Sequence, residues 1–125
     1  MIPKHFVTWQ EVEDFISDVI REYKDKKVTG VYGLPRGGLI FAVMLSHRLH
    51  IPMLVSPIEG CMIVDDICDS GESLVHYVNN ASGNEELDYT IVTMYYKQNK
   101  LGIVPDFWKD EKNNEWIVFP WEEQK

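Results

Sequence analysis

Acidic, hydroxyl and glycine residues with the spacing of a phosphate-binding site occupy the middle of the chain. Asp65 and Asp66 directly follow an apolar run, and a short polar segment then precedes a helical pattern: Asp69, Ser70, Gly71, Glu72 and Ser73. The backbone N–H groups at the start of a helix attract anions, because they lack partners and because the helix dipole favours negative charge. Carboxylates beside such a site suit a ligand that carries hydroxyls, or a metal, together with a phosphate. A sugar phosphate with magnesium has this composition.

A second constellation, Pro35-Arg36-Gly37-Gly38, follows an earlier short apolar segment. Two glycines allow the backbone to approach a ligand closely, and the helix predicted after them adds its N-terminal dipole. Arg36 supplies a planar fork of donors that suits phosphate oxygens. Taken alone, the segment is equally compatible with a tight turn that joins a strand to a helix and leaves Arg36 in solvent.

The segment 61–73 resembles the phosphoribosyl-pyrophosphate signature of the type I phosphoribosyltransferases. In that signature an apolar strand precedes two acids and an Asp-Ser/Thr-Gly-x-Ser/Thr turn. The resemblance implies that Asp65 and Asp66 lie at the ribose hydroxyls, with Asp65 assigned to Mg²⁺, and that the loop 69–73 wraps the 5′-phosphate. The structural alternative is a buried strand followed by a capped helix, with solvated acids. The resemblance also implies a pyrophosphate-binding loop, in which a strained or cis peptide is common, made by Arg36, Gly37 and Gly38.

Further segments resemble the bacterial xanthine-guanine branch of this family, in the same order along the chain: Val7-Thr8-Trp9, Arg36-Gly37-Gly38-Leu39, Glu115-Trp116-Ile117 and Pro120-Trp121. By this resemblance Trp116 stacks on a purine and Ile117 contacts the base through its backbone. Lys97 then reaches the exocyclic oxygen and selects a 6-oxo purine over adenine. The alternatives are a core aromatic in an edge strand for Trp116 and an ordinary solvated side chain for Lys97.

Asp69 has two candidate roles. In the purine branch of the family the matching aspartate lies near the imidazole nitrogen of the base, which makes Asp69 the candidate catalytic base. A general base needs hydrogen-bonding reach and a suitable pKa, and the sequence supplies neither. Asp69 is also a suitable cap for the helix that follows it. Both roles are compatible.

Around these motifs, strands alternate with helices. Thr8 and Glu11 predict a capping box that opens an amphipathic helix, which the lysine-rich residues 24–27 end. The remaining pattern predicts strands over residues 28–34, 52–55, 61–64 and 90–96, helices over 39–49 and 73–80, and a break over 81–84. This order predicts an α/β fold with a mainly parallel, twisted sheet flanked by helices. A receiver-type domain is the alternative, and it is set aside because it gives Gly37 and Gly38 no role.

Size and charge restrict the class of protein. The chain has 125 residues and a formal net charge of −8. It is predicted to be one domain, residues 1–125, with a core over about 8–97 and a hood formed by 98–125 and the N-terminal segment. The negative charge disfavours nucleic acid and anionic membranes as partners. No apolar stretch is long enough to span a membrane. Cys61 and Cys68 are predicted to be free buried thiols, which indicates a cytoplasmic protein, and the resemblance implies a homo-oligomer.

One feature departs from the family. Family enzymes carry a long flexible segment between the strands matched here by 52–55 and 61–64, whereas residues 56–60 alone connect them in this chain. That segment closes over the reacting centre and excludes water. Three hypotheses follow: a purine phosphoribosyltransferase using phosphoribosyl pyrophosphate and Mg²⁺; a catalytically weak or idle nucleotide-binding regulator; and a structural protein that keeps the fold.

Overall fold

The computed structural model describes residues 2–76 and 87–122, in which strands alternate with helices. The elements in chain order are β1 (Lys4–Phe6), α1 (Trp9–Tyr23), β2 (Val31–Gly33), α2 (Gly37–Leu49), β3 (Cys61–Cys68), β4 (Tyr89–Tyr96), β5 (Phe107–Glu111) and β6 (Trp116–Val118). Residues 72–76 are also helical. The end of the predicted helix 73–80 and the predicted break 81–84 lie outside the described residues.

The main sheet is parallel, with its four strands in the order β2-β3-β4-β5. Helix α2 connects β2 to β3 and packs on both strands. The predicted α/β class, with a mainly parallel sheet flanked by helices, is confirmed. In such sheets the carboxyl ends of the strands lie on one edge, where ligands bind. The segments that follow β2, β3, β4 and β5 therefore share that edge.

Both faces of the sheet are covered, which explains the continuous apolar run of β3. Met62 and Val64 pack on one face with the buried sides of α1 and α2, including Phe15 and Phe41. Ile63 points to the other face, into a smaller cluster: Tyr32, Leu34, Cys61, Cys68 and Leu74. The residues of the central strand are thereby fixed in register, because a slip by one residue would exchange the two faces.

Helix α1 begins and ends where the sequence predicts. The Thr8 hydroxyl accepts a hydrogen bond from the Glu11 N–H, and the Glu11 carboxylate accepts one from the Thr8 N–H, which completes the capping box. The helix ends at Tyr23 with Lys24 as its C-cap. The side chains that recur at helical spacing are buried: Val12, Phe15, Ile16, Val19 and Tyr23.

The structure corrects several predicted strands. β3 continues to Cys68 instead of ending before the acids, so Asp65 and Asp66 lie within the strand. Residues 52–55 contribute an isolated bridge between Met53 and Val31 rather than a strand. The segment after residue 97 contains β5, which joins β4, although its charged sequence gave no strand pattern.

The predicted hood contains a second sheet, formed by β1 and β6 in parallel. Behind it, Phe119 and Trp121 stack with an interplanar angle of 10°, and both contact the Phe41 ring of α2. The predicted hood segment 98–125 is divided between the two sheets. Its strand β5 extends the main sheet, whereas its strand β6 pairs with β1. Cys61 and Cys68 are free and buried. Among residues 2–76 and 87–122, no helix has the length and apolar character needed to cross a membrane.

Candidate functional site

The first loop, residues 35–38, leaves β2 and opens helix α2. The Pro35–Arg36 peptide bond is cis, which locates the unusual peptide expected in this loop. Gly37 and Gly38 are the first residues of α2, and Arg36 is exposed at its N-cap. The Gly38 N–H donates to the Leu34 carbonyl over 2.8 Å, so the loop is tightly turned.

Both glycines of this loop are required by close packing against β3. A Cβ at Gly38 would overlap the Val64 carbonyl oxygen, which already accepts a hydrogen bond from Leu34 N–H. A Cβ at Gly37 would lie 2.6 Å from the Asp66 carboxylate carbon. The absence of side chains therefore brings the first loop directly onto the acid pair of the neighbouring strand.

Asp65 and Asp66 face two different cavities, as neighbours in a strand do. Asp66 borders an open cavity of about 770 Å³ that it shares with Arg36, Gly37 and Trp121. Asp65 borders a small cavity of about 70 Å³, which is lined largely by the second loop. The backbone N–H of Asp66 donates to Asp65 Oδ1, and that of Ile67 donates to Asp66 Oδ1, each over 2.8 Å.

The Asp65 carboxyl group is strongly desolvated. Burial, followed by the charge and hydrogen bonding of Asp66, raises the pKa of Asp65 to about 9. Desolvation penalises the charged form of a carboxyl group, and a neighbouring carboxylate adds to that penalty. Burial and the neighbouring carboxylate therefore favour the protonated form of Asp65. A divalent cation or another positive group beside it would favour the ionised form.

The second loop, residues 69–73, connects β3 to the helical residues 72–76. The Glu72 N–H donates to the Ser70 hydroxyl, which is a capping contact, and Val75 N–H donates to the Gly71 carbonyl. Gly71 has a φ of +80°, and a Cβ there would lie 2.8 Å from Ile103 Cγ1. Ser70 thus provides the helix-capping contact that the sequence had suggested for Asp69. The Asp69 carboxylate instead faces Lys112, just after β5.

Asp69 is held by a lysine that the sequence interpretation missed. Lys112 Nζ lies 2.9 Å from Asp69 Oδ2, and the lysine side chain is only 17% exposed while that of Asp69 is 50% exposed. The Lys112 N–H also donates to the Tyr96 carbonyl over 2.7 Å. Lys112 follows directly after β5, so recognising β5 as a parallel strand would have placed this residue at the ligand edge.

The predicted base-binding residues lie in different surroundings. Lys97 shares a shallow cavity of about 660 Å³ with Asp69, Ser70 and Glu72. Ile117 is buried and borders another cavity, of about 260 Å³, together with Lys112. Trp116 is 60% exposed and pairs in register with Lys4 of β1. Asp69 is next to both cavities, because it lines the first and contacts Lys112 of the second.

The arrangement brings together most of the residues that the sequence singled out. Two loops at one edge of a parallel sheet, each opening a helix, flank a strand that carries two carboxylates. The first loop offers an exposed guanidinium, and the second offers hydroxyls and N–H groups. Such an edge can bind two phosphate groups on either side of a hydroxyl-bearing ligand.

Comparison with known proteins agrees with this geometry, although no family model matches the chain. The chain is 26% identical to xanthine-guanine phosphoribosyltransferase from Idiomarina loihiensis, with 94% of this chain and 86% of the relative covered. It superposes on purine phosphoribosyltransferase from Pyrococcus horikoshii with a TM-score of 0.79 and 28% identity, covering 98% and 96% of the two chains. A xanthine-guanine-hypoxanthine phosphoribosyltransferase from Helicobacter pylori superposes with a TM-score of 0.78 at 16% identity, covering 95% and 94%.

The fold is that of the type I phosphoribosyltransferases, and the homologues are enzymes of the glycosyltransferase class. Within that class, the chain is similar in sequence to the xanthine-guanine phosphoribosyltransferases over nearly its whole length. The alignment with the Idiomarina protein spans 144 positions. It is longer than the chain itself, so the relative contains segments that this chain lacks.

Proposed function

We propose that this protein is a purine phosphoribosyltransferase that moves ribose 5-phosphate from phosphoribosyl pyrophosphate to a 6-oxo purine. Xanthine, guanine and hypoxanthine are the candidate bases. The observation that carries the proposal is the packing of Gly37 against the Asp66 carboxylate. This packing brings the first loop onto the acid pair of β3, the strand that leads into the second loop. The relatives' names support the purine class.

The proposed reaction replaces one bond at the anomeric carbon of ribose by another. The purine nitrogen forms a bond to that carbon, and the bond to pyrophosphate breaks with inversion. Pyrophosphate leaves with the bonding electrons, and Asp69 accepts the proton that the base loses. Arg36, with the N–H groups of Gly37 and Gly38, stabilises the charge that develops on pyrophosphate.

The second loop and the acid pair hold the sugar phosphate in this proposal. The 5′-phosphate is bound by the backbone and hydroxyl groups of residues 69–73, and Ser70, Gly71 and Ser73 line the small cavity there. Glu72 is exposed and lines the neighbouring cavity with Lys97, so its carboxylate lies away from the small one. Asp65 and Asp66 bind the ribose hydroxyls. Holding both ends of the donor fixes its anomeric carbon for attack.

Magnesium fits the donor atoms of this site. Mg²⁺ is commonly held by one or two carboxylates together with phosphates of the substrate, and Asp65 with Asp66 supplies such carboxylates. We assign Asp65 as its protein ligand. When bound, the cation would neutralise charge on pyrophosphate and favour the ionised form of Asp65. A cytoplasmic location and homo-oligomeric assembly belong to the same proposal.

The purine is placed between Asp69 and the hood. Ile117 borders the 260 Å³ cavity, Trp116 supplies an exposed indole on the same strand, and Lys97 lies beside Asp69. These three residues are proposed as the base-binding set. Stacking on an indole gives affinity for any flat ring, whereas a lysine beside the ring distinguishes an oxygen from an amino group.

A second candidate function is a catalytically weak or idle nucleotide-binding regulator. The observation that favours it is the short connection 56–60, where relatives of the family carry a closing segment. Val55, just before this connection, is 98% exposed, so the short connection does not cover the residue next to it. Without closure, water competes with the purine for the anomeric carbon, and turnover falls while binding persists.

Product formation tests both candidates. The purified protein is incubated with Mg²⁺, phosphoribosyl pyrophosphate and, in turn, xanthine, guanine, hypoxanthine, adenine or uracil. Nucleotide from a 6-oxo purine supports the transferase and identifies its base. Nucleotide or donor binding without turnover supports the regulator. A protein that binds neither donor nor nucleotide contradicts both, and leaves the structural role.

Two variants tie the activity to the site. Asp69→Asn removes the proton acceptor, and Arg36→Ala removes the charge at the pyrophosphate. We expect each to lower turnover by about 100-fold or more. His47→Ala, an exposed change on the far part of α2, serves as the control. Unchanged turnover in both Asp69→Asn and Arg36→Ala would contradict the proposed mechanism.

A further inference from the structure

Residues 97–103, the third loop, follow β4 and fold around the side chain of Asn99. The Asn99 amide donates to the Ile103 carbonyl over 2.8 Å and accepts a hydrogen bond from the Ile103 N–H over 3.0 Å. It also donates to the Lys97 carbonyl over 3.2 Å. Asn99 is half-buried, whereas the residues on either side of it are exposed. One side chain therefore holds both ends of the third loop, although the proposed mechanism gives it no role.

The third loop packs directly against the second loop. A Cβ at Gly71 would lie 2.8 Å from Ile103 Cγ1 and 3.5 Å from Asn99 Oδ1. Cys68, which precedes the second loop, has its Sγ 3.8 Å from the Ile103 carbonyl oxygen and 3.9 Å from Asn99 Nδ2. The backbone at the entrance and in the middle of the second loop thus lies against Asn99 and against the residue that Asn99 holds.

This contact is the buried anchor of the second loop. Within residues 69–73, Gly71 is buried, and the other four residues are exposed. Gly71 also has a φ of +80°, and glycine loses more conformational freedom on ordering than any other residue. A loop of this kind keeps one shape only where something fixed packs against it. Ile103 provides that surface, because Asn99 binds both its N–H and its carbonyl.

We propose that Asn99 is a positioning residue that sets the second loop in its phosphate-binding conformation and acts through Ile103. This inference rests on the proposed function, in which the second loop binds the 5′-phosphate. Asn99 does not need to touch the phosphate, because its effect passes through Ile103 to the backbone of Gly71. Affinity falls in proportion to the fraction of molecules that hold the binding conformation, so loosening the third loop weakens phosphate binding.

The test compares two ligands by isothermal titration calorimetry with Mg²⁺ present. Inosine monophosphate places its phosphate on the second loop in the proposed function, and inorganic pyrophosphate binds the first loop. We expect Asn99→Ala to weaken inosine monophosphate binding about 10-fold, because two hydrogen bonds to Ile103 are lost. The pyrophosphate affinity should change less than about twofold. A merely structural role of Asn99 would weaken both ligands together, and that result would overturn the proposal.

A double-mutant cycle tests whether the effect passes through Ile103. Ile103→Ala removes the side chain that packs on Gly71, and it should also weaken inosine monophosphate binding. If Asn99 acts through Ile103, Asn99→Ala should add little to the loss already present in Ile103→Ala, because changes that share one route are not additive. Fully additive losses would overturn the proposed route.

Gln98→Ala is the matched control, because Gln98 is an exposed neighbour in the same loop and lines the same 660 Å³ cavity as Asn99. We expect it to leave both affinities unchanged. A loss for Gln98→Ala as large as that for Asn99→Ala would overturn the proposal, since any change in the third loop would then have the same effect.

Failure of the proposed function is distinguishable from failure of this inference. A wild-type protein that binds inosine monophosphate, with an affinity that Asn99→Ala retains, overturns the role of Asn99 and leaves the proposed function intact. A wild-type protein that binds neither ligand and forms no nucleotide contradicts the proposed function, and the role of Asn99 is overturned with it.

Discussion

The two loops at the ligand edge achieve their geometry by different means. The first loop, residues 35–38, is fixed by contact of its backbone with β3, because neither Gly37 nor Gly38 has room for a Cβ. The second loop, residues 69–73, is half-exposed and is held at Asp69 by the ion pair with Lys112. Steric packing thus positions one loop, and electrostatic attraction contributes to the position of the other.

This difference indicates which loop can adjust to a ligand. A close-packed interior resists displacement of even one methyl group, so the first loop is preformed, and the proposed pyrophosphate site needs no rearrangement. An ion pair at a partly exposed position is worth little free energy, so Asp69 can exchange Lys112 for a substrate group. Asp69, the proposed proton acceptor, lies on the loop that is easier to move.

The largest effect is expected from a side chain added to the first loop. Gly38→Ala places a methyl group on the Val64 carbonyl oxygen, and α2 must separate from β3. We expect the free energy of unfolding to fall by about 3 kcal/mol, despite the higher helix propensity of alanine. Urea denaturation measures the loss. His47→Ala, on the exposed side of the same helix, is the control, and equal stabilities of the two variants would show that the first loop is not sterically fixed.

Removal of the half-buried Asp65 carboxyl group, which lies between the loops, should stabilise the protein. The pKa of Asp65 is raised from 3.8 to about 9, so between these pH values the unfolded chain releases a proton that the folded chain retains. Wild-type stability then falls as pH rises through this window. Asp65→Asn removes that dependence, so near pH 8 we expect this variant to be more stable than wild type. At the same time donor binding should weaken.

The measurement is thermal unfolding of wild type and Asp65→Asn between about pH 4 and pH 9, without ligand. The two proteins should converge at the acid end and separate as pH rises. An Asp65→Asn variant that is less stable at every pH would show that Asp65 contributes to the fold rather than opposing it. That result would remove the expected conflict between stability and function at this position.

The sequence predicted well the parts of this molecule that local patterns determine. The boundaries of α1 follow from the Thr8–Glu11 capping box and from its apolar face. Both signals depend on residues that are only three or four positions apart in the sequence. The parallel sheet follows from the alternation of strands and helices. The motif residues of both loops lie at one edge, because parallel strands all end on the same side.

The sequence could not predict features that depend on distant pairing. β5 carries charges and is half-exposed, so it has neither an apolar run nor a regular alternation, and its pairing with β4 defines it. Lys112 depends on that strand and was missed with it. The continuation of β3 through Asp65 and Asp66 also depends on its neighbour, because β4 pairs with it as far as Cys68.

An added side chain in the second loop should have a smaller effect than in the first. Gly71 has a φ of +80° and its Cβ would press on Ile103, whereas Gly102 has a φ of +69° with open space around it. Gly102→Ala therefore measures the conformational cost alone, and Gly71→Ala adds the contact. We expect losses of about 1 and 1.5 kcal/mol, respectively, by urea denaturation. A loss for Gly71→Ala as large as that of Gly38→Ala would show that both loops are equally rigid.

The smallest expected effect concerns how firmly Lys112 holds the second loop, and Cys68 reports it. Cys68 is 1% exposed, so labelling by a disulfide reagent requires the loop to open. Burial, with the charges of Asp65 and Asp69, also raises the pKa of the Cys68 thiol to about 11. Cys61, at the other end of β3, is buried away from the loop. In a Cys61→Ser background we expect Lys112→Met to speed Cys68 labelling about threefold, the worth of a weak ion pair. In a Cys68→Ser background, Cys61 labelling should be unaffected by Lys112→Met.

Two outcomes would contradict this prediction. Equal acceleration at both thiols would mean that Lys112 stabilises the whole fold. No acceleration at Cys68 would mean that packing against Ile103 alone holds the second loop.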